Sequence, residues 1–196
     1  MNLQKAINKR HSIREYEEKT VSKELLKQLI INATKAPSAS NRQPWKFYCV
    51  YSKNKRDIIS IYLKEASEFF EKDLALKPLK LQAIMHQFNK NMGNCPHVIF
   101  IFREKIKKES EHIKPNDISS ISCAAENLML SAYAKGLGTC WIGSFKLPII
   151  ENKIKRRLDI PFNQELIASI LIGYPKKGYK PLIRSKKKLN QILEFK

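Results

Sequence analysis

The four histidines, His11, His86, His97 and His112, are scattered along the chain. None stands at a metal-ligand spacing, and each reads as a surface or capping residue. The four cysteines, Cys49, Cys95, Cys123 and Cys140, form no C-x-x-C pair. That argues against a zinc site or an iron–sulfur cluster. No G-x-S-x-G elbow is present. With only 18 acids, no carboxylate pair suited to general acid–base work stands out. The chain thus offers no catalytic side chain and no metal site. An enzyme built from it would take its hard chemistry from an external cofactor.

Three stretches suit the holding of such a group. Arg10, Ser12 and Arg14 alternate, so in an extended segment all three align on one side. Two guanidinium groups and a hydroxyl make a cradle for a phosphate or an electron-rich ring. The same residues also suit a charged turn after a helix. The second stretch, Ala36 to Phe47, is a polar link with Pro37 and Pro44 near its ends. Each proline fixes its own φ and pushes the preceding residue out of the helical region. The link is therefore expected to be extended, with side-chain oxygens and free backbone N–H groups on offer. It equally suits an ordinary helix-to-strand connection. The third, Gly136 to Gly143, follows a helical pattern rather than a strand, so it is not the dinucleotide fingerprint, and no P-loop is present.

The elements that must position these stretches are legible from periodicity. Leu3, Ala6 and Ile7 suggest a first helix ending near Arg10. Ser22 reads as an N-cap, followed by Leu25, Leu26, Leu29, Ile30 and Ala33 at helical spacing. Lys46–Tyr51 reads as a strand. Ile58, Ile59, Tyr62, Leu63, Ala66, Phe69 and Phe70 mark another amphipathic helix, and Lys72–Asn94 a helical excursion. His97–Phe102, continuously apolar after its first residue, and Leu166–Ile172 fit strands buried on both faces. Asn116 or Asp117 is expected to cap a helix with Ile118, Ile121, Ala125, Leu128, Met129 and Ala132 on one face. Gly136 would end it in a left-handed conformation. Pro148 begins a helix reaching Leu158. The tail beyond Pro175 is expected to run extended, with Leu189, Ile192 and Leu193 as one apolar patch.

The chain has 196 residues, 43% of them hydrophobic, and shows no repeat or linker. One domain over 1–196 is expected, of α+β class, with one small mixed sheet flanked by helices. The apolar runs are too short to span a membrane. No apolar secretory segment follows Met1, so the expected location is cytoplasmic, with free and mostly buried thiols. The formal net charge is +19. The excess is mostly lysine and spread over the whole chain, not interleaved with aromatics as in a stacking platform. Its densest patch, Lys176 to Lys188, has no acid and suits a small ligand's phosphate or a longer polyanion.

Arg10-His11-Ser12-Ile13-Arg14 resembles the opening R-x-S-x-R signature of the nitroreductase family of flavoproteins. Ala36-Pro37-Ser38-Ala39-Ser40-Asn41-Arg42-Gln43-Pro44-Trp45-Lys46-Phe47 is similar to that family's A-P-S-x-x-N-x-Q-P-W-x-F segment. Gly136-Leu137-Gly138-Thr139-Cys140-Trp141-Ile142-Gly143 resembles a stretch of its short members, and Ile172-Gly173-Tyr174-Pro175 with a basic tail fits as well. The motifs come in the family's order over nearly the whole chain. The resemblance implies FMN, a nitroreductase-like fold and an intertwined homodimer with a flavin at each subunit interface. Carried over by position, Arg10, His11, Ser12 and Arg14 hold the ribityl phosphate and the pyrimidine edge. Pro37, Ser38, Ala39 and Asn41 reach the flavin of the other subunit. The backbone at Trp141, Ile142 and Gly143 passes the ring near N5. In the basic tail two registers are open for the phosphate, Arg184 with Lys186 or Lys186 with Lys187.

The implied activity is NAD(P)H oxidation by ping-pong hydride transfer through flavin N5. Nitroaromatics, quinones or similar flat electron-poor molecules would be the acceptors, and NADH or NADPH the donor. The alternative from another class is a basic nucleic-acid-binding protein that keeps the fold without turnover. It is supported by the charge and weakened by the lack of a recognisable binding motif.

Overall fold

In the computed structural model the described residues are 2–51, 54–76, 78–182 and 185–196, with the side chains at 67–74 and at position 80 also left outside. Phe69, Phe70 and Lys72 thus contribute backbone only, and Arg184 lies outside the described residues. Four strands form one sheet in the order β1-β2-β4-β3: β1 is Trp45–Val50, β2 His97–Glu104, β3 Gly138–Trp141 and β4 Gln164–Gly173. All three ladders are antiparallel. Among the described residues, the parallel component of the expected mixed sheet is one isolated bridge, Ser12 with Thr139, on the free side of β3.

The two central strands are buried on both faces, in keeping with their largely apolar sequences. Alternation sends Val98, Phe100 and Phe102 into one core and Ile99 and Ile101 into the other. A bulge between Ile101 and Phe102 shifts the β2–β4 register by one residue. The first core packs under helices α3 (Lys55–Leu74) and α6 (Pro148–Leu158). The second packs under α2 (Lys23–Ala33) and α5 (Ile113–Ala134). Short α1 (Leu3–Lys9) leans on α5, and α4 (Leu79–Asn89) lies in the lysine-rich excursion.

Helix ends follow local chemistry. Ser22 Oγ accepts from the Leu25 N–H, which caps α2. Pro148 stands in the first turn of α6, where its missing N–H is harmless. Gly136, at φ +78°, ends α5 in the left-handed region. The start of α5 differs from expectation. The helix begins at Ile113, not at Asn116 or Asp117, because Pro115 is tolerated in a first turn. The tail is also not wholly extended: Leu189–Gln191 makes a 3₁₀ turn. Leu189, Ile192 and Leu193 are exposed on this single chain, as is Phe195.

Candidate functional site

The segment from Arg10 to Glu17 runs extended along the outer edge of β3. The register makes Ile142 and Ser169 a hydrogen-bonded pair, with the Ile142 N–H on the Ser169 carbonyl at 2.9 Å. Antiparallel alternation then turns the backbone groups of Thr139 and Trp141 away from β4. The Thr139 carbonyl takes the Ile13 N–H at 2.9 Å. Further along, the Tyr16 N–H donates to Gly93 O at 2.8 Å and the Glu17 N–H to Tyr174 O at 2.9 Å. The Tyr16 hydroxyl donates to Ile13 O at 2.8 Å. Full burial of that phenol pushes its pKa well up, so it stays neutral.

Two glycines admit this segment. Gly93 sits at φ +65°, and a Cβ there would overlap the Arg14 carbonyl. Gly138 meets the Ile13 side chain where its own Cβ would be. Residues 13–16 are thus gripped from both sides.

Two cavities border the gripped segment. One of about 300 Å³ is lined by Arg10, His11, Tyr133, Gly136, Thr139 and Lys176, among others. The other, about 540 Å³, is lined by Arg14, Ile84, Phe88, Asn91, Lys176 and Tyr179, among others. Lys176 and Tyr179 border both, and the Tyr179 hydroxyl donates to Ser12 O at 3.4 Å. His11 donates from Nδ1 to Lys9 O at 2.7 Å. Arg10 lies 3.4 Å from the half-exposed Glu126, and Lys176 lies 3.2 Å from the half-exposed Glu15. Arg14 makes no ion pair among the described residues. The cavities thus border three cations held only by exposed carboxylates or by none. That donor set fits a dianionic phosphate and an electron-rich ring edge, and an incoming phosphate can displace such pairs at small cost.

The expected residues do not all meet in one chain. Arg10, His11, Ser12, Arg14 and Trp141 share the β3 edge. Of the expected backbone groups at 141–143, the Ile142 N–H and carbonyl are both taken, by Ser169 O and Ser169 Oγ. The outward-turned Trp141 backbone and the exposed Gly143 remain. Lys186 and Lys187 are exposed in the tail. Pro37, Ser38, Ala39 and Asn41 lie elsewhere, on the N-terminal half of α5, and line neither cavity.

That second stretch is not extended. Ala39–Asn41 form a 3₁₀ turn, and Ser40, Asn41 and Gln43 have φ of 50°, 52° and 48°. The prolines restrain only themselves and their predecessors. Between them, backbone donors find local acceptors. The Gln43 N–H goes to Ser38 Oγ at 3.2 Å and the Ala39 N–H to Ser120 Oγ at 3.3 Å.

His97, read as a surface or capping residue, is 1% exposed. Its Nε2 accepts from the Val21 N–H at 3.1 Å, and its ring stacks on Tyr51 at 4.5 Å. Of the thiols, Cys95 and Cys140 are buried while Cys49 and Cys123 are exposed, so the expectation of mostly buried thiols holds for half of them. Sequence reading missed Lys176 and Tyr179 as cavity residues, although Lys176 opens the basic patch. It also missed β3, which is only four residues long.

The description of the family model that matches residues 7–174 is the nitroreductase family. An Archaeoglobus fulgidus protein with the provisional name NADH dehydrogenase/NAD(P)H nitroreductase is 28% identical over 172 residues, 88% of this chain and 84% of its own. The crystal structure of a nitroreductase family protein from Clostridium novyi NT is 29% identical, with a TM-score of 0.67 over 90% of this chain and 87% of that one. A BluB-like flavoprotein from Clostridium difficile 630 shares the fold at a TM-score of 0.76 and 24% identity, over 100% and 99% of the two chains.

Proposed function

The chain belongs to the nitroreductase family, and on that footing we propose that it is an FMN-dependent NAD(P)H oxidoreductase acting as a homodimer. The observation that carries this reading is the cationic cradle. A segment wedged between Gly93 and Gly138 presents Arg10, His11 and Arg14 beside Lys176 along the open edge of β3.

FMN, when bound, supplies hydride transfer from a nicotinamide to a flat electron-poor acceptor such as a nitroaromatic or a quinone. The chain's part is to bind and orient. Arg10, His11 and Lys176 hold the phosphate, with Lys186 from the basic tail. Charge-assisted bonds to such a dianion contribute roughly 1.5–3 kcal/mol each. Arg14 stands at the ring's pyrimidine edge, where its charge favours added electron density. Trp141 and Gly143 direct backbone groups toward the ring. Hydride transfer with stacking asks for no acid or base from the protein.

Asn41 and its neighbours serve the flavin of the second subunit. Their separation from the cradle within one chain supports this reading, as do the exposed Leu189, Ile192, Leu193 and Phe195, which a second copy would cover. No helix among the described residues is long and apolar enough to cross a membrane.

The test is purification. The protein should be yellow, and its colour should bleach with NADH or NADPH without air. Colourless protein that takes up no added FMN, yet binds DNA with a steep salt dependence, overturns this reading in favour of the nucleic-acid alternative.

A further inference from the structure

We infer that Arg42 and Asp117 are positioning residues: a clamp that holds residues 38–43 in the shape a ligand meets. This rests on the reading of that loop as part of a flavin site.

The loop needs an external hold. Ser40, Asn41 and Gln43 all occupy the left-handed region, and none is glycine. Three such residues within four positions are costly for a free chain, which would relax toward extended forms. Two tethers come from α5. The Ala39 N–H donates to Ser120 Oγ at 3.3 Å. Arg42 grips Asp117 as a fork, Nε to Oδ1 at 3.2 Å and Nη2 to Oδ2 at 3.3 Å. Planar, two-point pairing fixes direction as well as distance, which a lysine does not.

Asp117 is itself buried. Its side chain is 1% exposed, while that of Arg42 is 33% exposed. Behind it, Oδ2 accepts from Arg103 Nη1 at 3.4 Å. Arg103 also binds Glu109 and Glu165, and Lys114 binds Glu165. Arg42, Arg103 and Lys114 thus face Asp117, Glu109 and Glu165 with no net charge, so the buried members are compensated. The clamp ties the loop to α5 and, through Arg103 and Glu165, to β2 and β4. Arg42 directly follows Asn41, so the fork sets where Asn41 points without either clamp residue touching the ligand.

The test uses Asp117→Asn and Arg42→Gln, singly and together, in the full chain. Amide exchange is read in flavin-free protein, and FMN affinity by fluorescence titration. Each single variant should speed exchange at residues 38–43 and leave the cores of α2 and β1 unchanged. Each should weaken FMN binding about tenfold, with the double variant no worse than either single one. Arg42→Lys should recover part of the affinity. Arg42→Gln leaves Arg103 all its carboxylates, so it reports even if Asp117→Asn fails to fold. Unchanged loop exchange, or fully additive losses in the double variant, overturns the clamp. If the wild-type protein binds no FMN, the flavin reading falls, and exchange at 38–43 alone still decides whether the clamp exists.

Discussion

Gly138 and Ile13 meet so closely that a Cβ on Gly138 would stand 2.5 Å from Ile13 Cγ1. Ile13 is anchored there by its N–H bond to the Thr139 carbonyl. Gly138→Ala must therefore push the 10–14 segment off the edge of β3 or strain the sheet. We expect a stability loss of about 1–3 kcal/mol, as for overpacking elsewhere. FMN retention should fall further than stability alone explains. Urea unfolding and flavin content of the purified protein check both, and retention at the wild-type level would show that the cradle does not depend on this contact.

His97 stands between two elements and has a titration sign that can be worked out. Burial lowers its pKa below 6.5, aided by the nearby Lys55 charge and opposed by the Val50 backbone. The unfolded chain then binds more protons, so His97 contributes stability that is present above 6.5 and lost as pH falls through the lowered folded value. Physically, a proton on Nε2 would oppose the Val21 N–H that now donates there. Glu109 and Glu165 are also lowered, Glu109 by Arg103, and Glu165 by Lys114 and Arg103 despite its burial. Their contribution disappears only in more acid solution. Melting temperature against pH should fall in two steps, and His97→Gln should remove the upper one alone. A single step unaffected by that substitution would contradict the assignment.

What was legible in the chain follows from how local each signal is. Ser22, Pro148 and Gly136 mark helix ends through their own local chemistry, and each stands where that chemistry places it. The largely apolar runs of β2 and β4 announce burial on both faces. The shape of residues 38–43 was not legible, because the partners that hold it, Ser120 and Asp117, lie 81 and 75 residues away. β3 was missed for a related reason: it is completed by Ile13 on one side and β4 on the other. The basic and polar residues of the cradle could be picked out by type and alternation. Their arrangement around Lys176 and Tyr179 depends on long-range contacts that periodicity does not report.

Arg103 has the largest stake in stability of any cation described. Its side chain is 2% exposed and meets Glu109, Glu165 and Asp117. Arg103→Met would leave the buried Asp117 and the part-buried Glu109 and Glu165 short of their central cation. The expected cost is about 3–5 kcal/mol. By contrast, Arg157 pairs with Asp57 on the surface, with both side chains more than 40% exposed. Arg157→Ala should cost no more than about 1 kcal/mol. Urea midpoints of the two variants, measured side by side, separate these regimes, and comparable losses would show that burial is not what matters here.

Arg10 is paired with Glu126 at 3.4 Å, an exposed contact that a phosphate can replace. Arg10→Ala should weaken FMN binding roughly 10- to 100-fold, the scale of one charge-assisted bond. Glu126→Gln should not weaken it, and should tighten it slightly by removing a competitor for the guanidinium. Titrations at two salt concentrations add a second check, because Arg10→Ala should also reduce the salt dependence. Weaker binding on Glu126→Gln would mean that the carboxylate orients Arg10 rather than competes for it.

The two halves of the proposed site dock on one helix at different levels. Asp117 and Ser120 receive the 38–43 loop, and Glu126 receives Arg10. Nine residues separate Asp117 from Glu126, about 14 Å along the axis at 1.5 Å per residue. If each flavin takes its cradle from one subunit and its loop from the other, damage can be sorted by mixing chains. Arg10→Ala and Asn41→Ala homodimers should each bind FMN weakly. In a dimer of one Arg10→Ala chain and one Asn41→Ala chain, both lesions fall in the same site, and the other site is intact. Such mixed dimers should recover one wild-type-affinity FMN per dimer, read by titration of differently tagged, co-purified chains. If cradle and loop of a single chain served the same flavin, each site of the mixed dimer would carry one lesion, and no tight site would return.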